Sequence, residues 1–348
     1  MSHPFLVELG VEQPIVLAPL GGGPSTPELV AAVSGAGGFG ILGAAYLEPP
    51  AIREACRRIR TLTQRPFGVG LFAGGYPSEL RGDPGPMLAV LGPIHARLLI
   101  PPPLPPSPSL DPFPGQLEAV LAERPALLAF TFGIPSQEAL DALRARGIHT
   151  LGTATTAAEA VELSGAGVDA VLAQGAEAGG HRGTFAGRFE EAMVPMLRLV
   201  GEVARSVSLP VIAAGGIMDG AGVRAALDAG AAAAALGTAF LACPESGASE
   251  AYKRALIEAG GDRTVVTRAF SGRPARGLEN GFVRALAGRE ADILPYPLQN
   301  ALTRQMRSAA ARQGDADHLS LWAGQGVGRI RPLPAAELFR RILEEMEA

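Results

Sequence analysis

The chain has 348 residues, 47% hydrophobic but only 5% aromatic, and a formal net charge of −4. This supports a large core packed with small aliphatic side chains, and the weak negative balance gives no reason to expect nucleic acid or an anionic membrane as a partner. Two cysteines, Cys56 and Cys243, are too few for a disulfide framework, lack metal-ligand spacing, and fit a reducing, cytoplasmic compartment.

Residues 1–10 lack the basic and long apolar segments of a signal peptide. Beyond them, short apolar runs alternate with helix-like stretches, the βαβ rhythm of a parallel sheet. Strands are expected at Ile15–Leu20, Phe39–Ala44, Phe67–Phe72, Leu127–Phe132, Ile148–Thr153, Ala170–Gln174, Pro210–Ala214 and Ala232–Leu236. Eight continuous apolar strands, buried on both faces, predict a (β/α)8 barrel. Helix starts show capping residues at Thr26, Ser136 and Thr156, and helix ends show glycine at Gly37, Gly147 and Gly230. Gly35-Ala36-Gly37-Gly38-Phe39-Gly40 has dinucleotide-loop spacing but closes a helix and leads into a strand, the wrong context for a Rossmann fingerprint.

Two segments break the rhythm. Ala73 to Gly115 is proline-dense, with a run from Ile100 to Pro108, and reads as an ordered excursion or flexible arm over one barrel face. A polyproline ligand is the less favoured reading of that run. Ala248 to Ala348 exceeds one closing helix. The expected organisation is therefore a barrel over 1–247, with its insertion at 73–115, and a closing helix plus cap over 248–348.

The seventh and eighth predicted strands end in Ala213-Ala214-Gly215-Gly216-Ile217 and Leu236-Gly237-Thr238-Ala239-Phe240. In a barrel, those loops form a phosphate cup from backbone N–H groups, and a helix N-terminus after them adds favourable partial charge. The sixth strand runs into Gln174-Gly175-Ala176-Glu177-Ala178-Gly179-Gly180-His181-Arg182-Gly183. Of five histidines, only His181 lies on the face where barrel active sites form. A neutral imidazole there can take up a proton near neutral pH. The competing reading is a loop histidine bonded to backbone. Gln174 offers an amide to a ring edge or a structural bond. Thr238 suits a phosphate or simply a strand. Glu177 and Arg182 pair with each other or face water; Arg273 and Arg276 offer phosphate contacts or solvated charge; Trp322 is a packing residue by default.

Taken together, Gln174 to Gly183, Ala213 to Gly220, Leu236 to Ser246 and Trp322-Ala323-Gly324-Gln325 resemble the FMN-dependent nitronate monooxygenases. Pro19 with Gly21, Pro66 to Phe72, Gly272 to Gly277 and Pro295-Tyr296-Pro297 extend the likeness along nearly the whole chain. The resemblance implies a barrel holding FMN noncovalently, with His181 as catalytic base. It places Gln174, Gly179, Gly180, Gly215, Gly216, Ala235, Leu236, Gly237 and Thr238 on the FMN contacts, the last four around the phosphate. Gly70 falls on a flavin-side position where the family usually has Asn, so a roomier, less polar pocket is expected there. Leu20 replaces a family methionine. The implied reaction is oxidation of a nitronate or nitroalkane by O2, with no metal and with a homodimer as an admissible assembly. Two rivals share the cup: an NAD(P)H-dependent FMN reductase, such as an enoyl-acyl-carrier-protein or quinone reductase, and a non-catalytic barrel binding a phosphorylated ligand. Inosine-monophosphate-dehydrogenase chemistry would need a cysteine after the sixth strand, and none lies between Cys56 and Cys243.

Overall fold

In the computed structural model, which describes residues 3–76, 82–107, 111–261 and 263–348, eight parallel strands close into a barrel. They are β1 (Ile15–Leu17), β2 (Phe39–Gly43), β3 (Phe67–Phe72), β4 (Leu127–Thr131), β5 (His149–Ala154), β6 (Ala170–Gln174), β8 (Val211–Ala214) and β9 (Ala233–Leu236). β1 closes the ring on β9, with Leu17 opposite Leu236. The remaining strands, β7 (Gly180–His181), β10 (Thr264–Thr267) and β11 (Ala275–Leu278), form a small antiparallel sheet in the order β10-β11-β7. The expected strands hold, with shifted ends. β1 stops at Leu17 rather than Leu20, because Pro19 has no N–H to give a ladder. The capping residues are as expected: the Thr26, Ser136 and Thr156 side chains each accept a backbone N–H of the first helical turn.

Side-chain size along the strands makes the barrel a cup. Its lower half is filled by Val16, Phe39, Ile41, Leu127, Leu151 and Ile212, and the N-terminal helix Pro4–Glu8 plugs it with Phe5 and Leu6. Toward the C-terminal strand ends, the inward positions are Ala18, Ala129, Thr131, Thr153, Ala214 and Ala235, which leave the upper half hollow. A larger apolar layer joins the outer strand faces to the helices.

Two features give the irregular segments their detail. The insertion after β3 contributes the helix Gly85–Arg97, whose Met87 and Leu91 share one core with Phe270, Phe282, Leu302 and Met306. Excursion and C-terminal region therefore build one cap; the end of the proline run, Pro108, lies outside the described residues. The barrel's closing helix is the last in the chain, Ala335–Glu347, and it packs between the helices Pro27–Gly35 and Gly220–Asp228. A Cβ at Gly38 would lie 2.5 Å from the Phe339 ring, so glycine is what admits this helix. The C-terminal part of the cap is thus inserted between β9 and the final barrel helix, and both lie within 248–348.

Candidate active site

A cavity of about 550 Å³ fills the hollow end of the barrel, within the size range of small-molecule sites. His181, Gln174, Gly179, Gly180, Gly215, Gly216, Ala235, Gly237 and Thr238 all line it, although they come from the ends of three barrel strands, β6, β8 and β9. The cap supplies the roof, including Tyr252, Asn300, Arg307 and Trp322. Two expected residues are placed elsewhere. The Leu236 side chain belongs to the core between strands and helices. Gly70 does not border the cavity: a Cβ there would lie 2.5 Å from Pro19 Cβ, so Pro19 occupies the space and no extra room results.

The glycine cup is open. Gly215 and Gly216 have φ of 140° and 68°, conformations that favour glycine, and they turn the chain away from the end of β8. Among the described residues, the N–H groups of Gly216, Thr238 and Ala239 donate to no internal partner. The short helix Thr238–Leu241 has no side-chain cap at its start, the arrangement in which barrel folds present N–H groups to phosphate. Thr238 Oγ1 accepts the Gly324 N–H at 2.9 Å and keeps its own hydrogen for a ligand. The longer helix Gly220–Asp228 plays no such part. Its first N–H groups are taken by Asp219 Oδ1 and Glu345 Oε2, each at 2.9 Å, so the expected dipole contribution from this helix does not reach the cup.

The loop that presents His181 is fixed by groups whose roles the sequence left open. Gln174 Nε2 donates to His181 O (2.9 Å) and its Oε1 accepts from Gly183 N (2.8 Å), leaving one amide hydrogen free. Arg182 is buried, donating to the carbonyls of Gly175, Gln174 and Ala192. Glu177 accepts the Met196 N–H, which opens the next helix. The two charges do not pair with each other, and Arg182 is shut off from water. Arg276 is likewise buried, with Nε donating to Ala176 O, and Arg273 stacks 3.7 Å over the Phe132 ring; neither is a solvated charge.

His181 sits in an aromatic box of Trp322, Phe132, Phe72 and Tyr296, with ring centroids 5.4, 5.9, 6.2 and 6.3 Å away. Its Nε2 lies 2.8 Å from Ser271 Oγ. Ser271 in turn donates to Arg273 O at 3.1 Å, which assigns the imidazole hydrogen to Nε2 and leaves Nδ1 as the free acceptor. Burial, then the nearby Arg273 and Arg307, lower the His181 pKa from 6.5 to about 3. The ring is therefore neutral at physiological pH. Sequence reading missed Ser271, which stood at the head of a motif noted only for its arginines. It also treated Trp322 as packing, whereas its ring flanks His181.

A protein-family model for nitronate monooxygenase matches residues 3–345. The chain belongs to the nitronate monooxygenase family. It is 44% identical to a nitronate monooxygenase of Pseudomonas aeruginosa PAO1, covering 99% of both chains. Among solved structures, the nitroalkane oxidase of Streptomyces ansochromogenes superposes with a TM-score of 0.91 at 43% identity, over 98% of this chain and 97% of that one. FabK from Thermotoga maritima gives 0.77 at 30% identity, over 100% and 97%. The family's barrel is thus the observed fold, and Gln174 to Gly183, Ala213 to Gly220, Leu236 to Ser246 and Trp322 each contribute residues to the cavity lining. Among the described residues no three His, Cys, Asp or Glu side chains are grouped to hold a metal, and no helix is long and apolar enough to cross a membrane.

Proposed function

We propose that this chain oxidises alkyl nitronates, and the nitroalkanes from which they form, with O2 to carbonyl compounds and nitrite, using FMN held in the barrel cavity. The observation that carries the reading is the convergence of one half-buried, neutral imidazole and an open cup of unpartnered N–H groups on a single cavity. The cup fits a phosphate because Gly216, Thr238 and Ala239 leave backbone N–H groups without internal partners there and Thr238 adds a hydroxyl. Gln174, Gly179 and Gly180 lie where a ring system would rest beside His181. When bound, FMN would supply the electron acceptance and the reaction with O2, which no side chain here can perform.

For a neutral nitroalkane, Nδ1 of His181 takes the α-proton while Nε2 stays fixed on Ser271. The resulting imidazolium and nitronate form together, and the opposite charges offset the burial that otherwise disfavours a protonated ring. For a preformed nitronate, the low pKa weighs against an imidazolium waiting to hold the anion. Arg307, fixed by Asn300 on the cavity wall, supplies the positive field instead. A nitronate or nitroalkane and O2 are the partners of this reading, and the cytoplasmic assignment rests on the two free, buried thiols.

The test starts from the purified protein's spectrum and the mass of any chromophore released by heat. Aerobic mixing with a nitronate should consume O2 and yield nitrite. Rapid NADH oxidation without a nitro compound would replace this reading with the reductase one, and a protein that takes up no flavin would leave only the binding barrel.

A further inference from the structure

We propose that a second pocket, bordered by Arg273 and Tyr296, binds a small oxyanion. This pocket of about 310 Å³ is lined by Arg182, Arg268 and Arg273, together with Thr184, Gly187 and Tyr296. No acidic residue lines it among the described residues. Arg268 and Arg273 border it without a carboxylate, and the buried Arg182 in its wall spends its terminal nitrogens on carbonyls rather than on an ion pair, a surplus of positive charge because buried arginine is ordinarily paired.

Both carboxylates whose charge reaches these arginines already accept backbone N–H groups, Glu177 from Met196. Glu159, the buried carboxylate that acts on both Arg182 and Arg273, accepts from Thr155 N, Thr155 Oγ1, Phe185 N and Ala186 N at 2.6–2.9 Å. Arg273 uses one nitrogen on Thr184 O and stacks its plane on Phe132. Arg182 is 1% exposed, yet its Nε finds no partner. Arg268 is exposed and makes no ion pair or side-chain hydrogen bond among the described residues. A pocket offering almost only donors, forked and positively charged, recognises a planar or tetrahedral oxyanion such as nitrite, a carboxylate or a phosphate. It also adjoins the reaction site. Ser271 Oγ bonds both His181 Nε2 and the backbone of Arg273, so the anion-binding arginine and the imidazole hang on one residue.

The test titrates the flavin-loaded full-length protein with sodium nitrite, inorganic phosphate and acetate by calorimetry at constant ionic strength. At least one anion should bind saturably, and Arg268→Ala should weaken it about tenfold or more, the loss expected for one charge-assisted hydrogen bond. Arg304→Ala, at the mouth of the main cavity, serves as the control and should leave binding unchanged. Preference for nitrite would mark a site for the reaction's own product, and preference for phosphate a site for a phosphorylated ligand. Absence of saturable binding, or binding lost in Arg304→Ala but kept in Arg268→Ala, would overturn the proposal.

Discussion

The neutrality of His181 should be readable in the protein's stability, independently of any catalytic assay. In the unfolded chain this imidazole titrates near 6.5; in the folded chain burial, Arg273 and Arg307 hold it near 3. Between those values the unfolded state takes a proton that the native state refuses, so stability falls as pH drops through 6.5 and keeps falling until about 3. Single-site linkage over the interval from about pH 7.5 to about pH 5 gives a loss of about 2 kcal/mol from this residue alone. His181→Asn keeps a polar side chain of similar reach but removes the titration. The quantity to measure is the difference in unfolding free energy between wild type and variant, from denaturant titrations of the full chain at several pH values. Contributions from other groups cancel in that difference. Wild type should lose about 2 kcal/mol relative to the variant on acidification. Parallel curves would mean that the ring is solvated or already paired with an anion, and the argument from burial would fail.

Four further outcomes follow from the same geometry. Turnover of a neutral nitroalkane should fall about 10²–10⁴-fold in His181→Asn while that of a nitronate falls less, and the wild-type kcat/KM for the nitroalkane should show no break at pH 6.5; equal losses with both substrates would mean the residue only orients. Ser271→Ala removes the only side-chain bond to the imidazole among the described residues, so kcat for the nitroalkane should drop about tenfold or more with flavin content unchanged, and Ser271→Thr should restore it. Gly237→Leu should abolish flavin retention, measured as absorbance ratio after gel filtration, because its side chain would enter the cup beside Leu20. Gly70→Asn would drive its Cβ into Pro19, so it should cost about 1–3 kcal/mol and lower the thermal midpoint rather than tune substrate choice; an unchanged midpoint would show that Pro19 yields freely.

The barrel was legible because parallel strands buried on both faces must be continuously apolar, and because glycine and proline punctuate the turns between them. The strand ends were less so: whether β1 runs to Leu17 or Leu20 depends on which neighbours remain to be paired, which is a tertiary matter. The same limit applies to the last helix. Its amphipathic period announces a helix, but only the steric opening at Gly38 and the neighbouring helices decide that it, rather than Glu250–Glu258, fills the ring. Gly70 was misread for a related reason. A glycine in a strand marks either spare room or a close approach, and the approaching residue, Pro19, is 51 positions away.

The catalytic candidate itself shows where reading a sequence stops. Its glycine-flanked position after β6 pointed to His181, since a strand end on the active face is a local property. Its chemistry is not local. Phe72 and Phe132 come from the barrel, whereas Ser271, Tyr296 and Trp322 come from the cap, and a two-residue strand, β7, joins the halves by pairing His181 with Ala275. Two residues carry no periodicity, so nothing in the sequence signals that pairing. Yet it brings in the serine that fixes the tautomer and the rings that exclude water. The imidazole is held neutral by an enclosure that exists only once the cap has seated on the barrel, so its basicity should respond to substitutions in the cap–barrel seam as strongly as to any beside it in sequence.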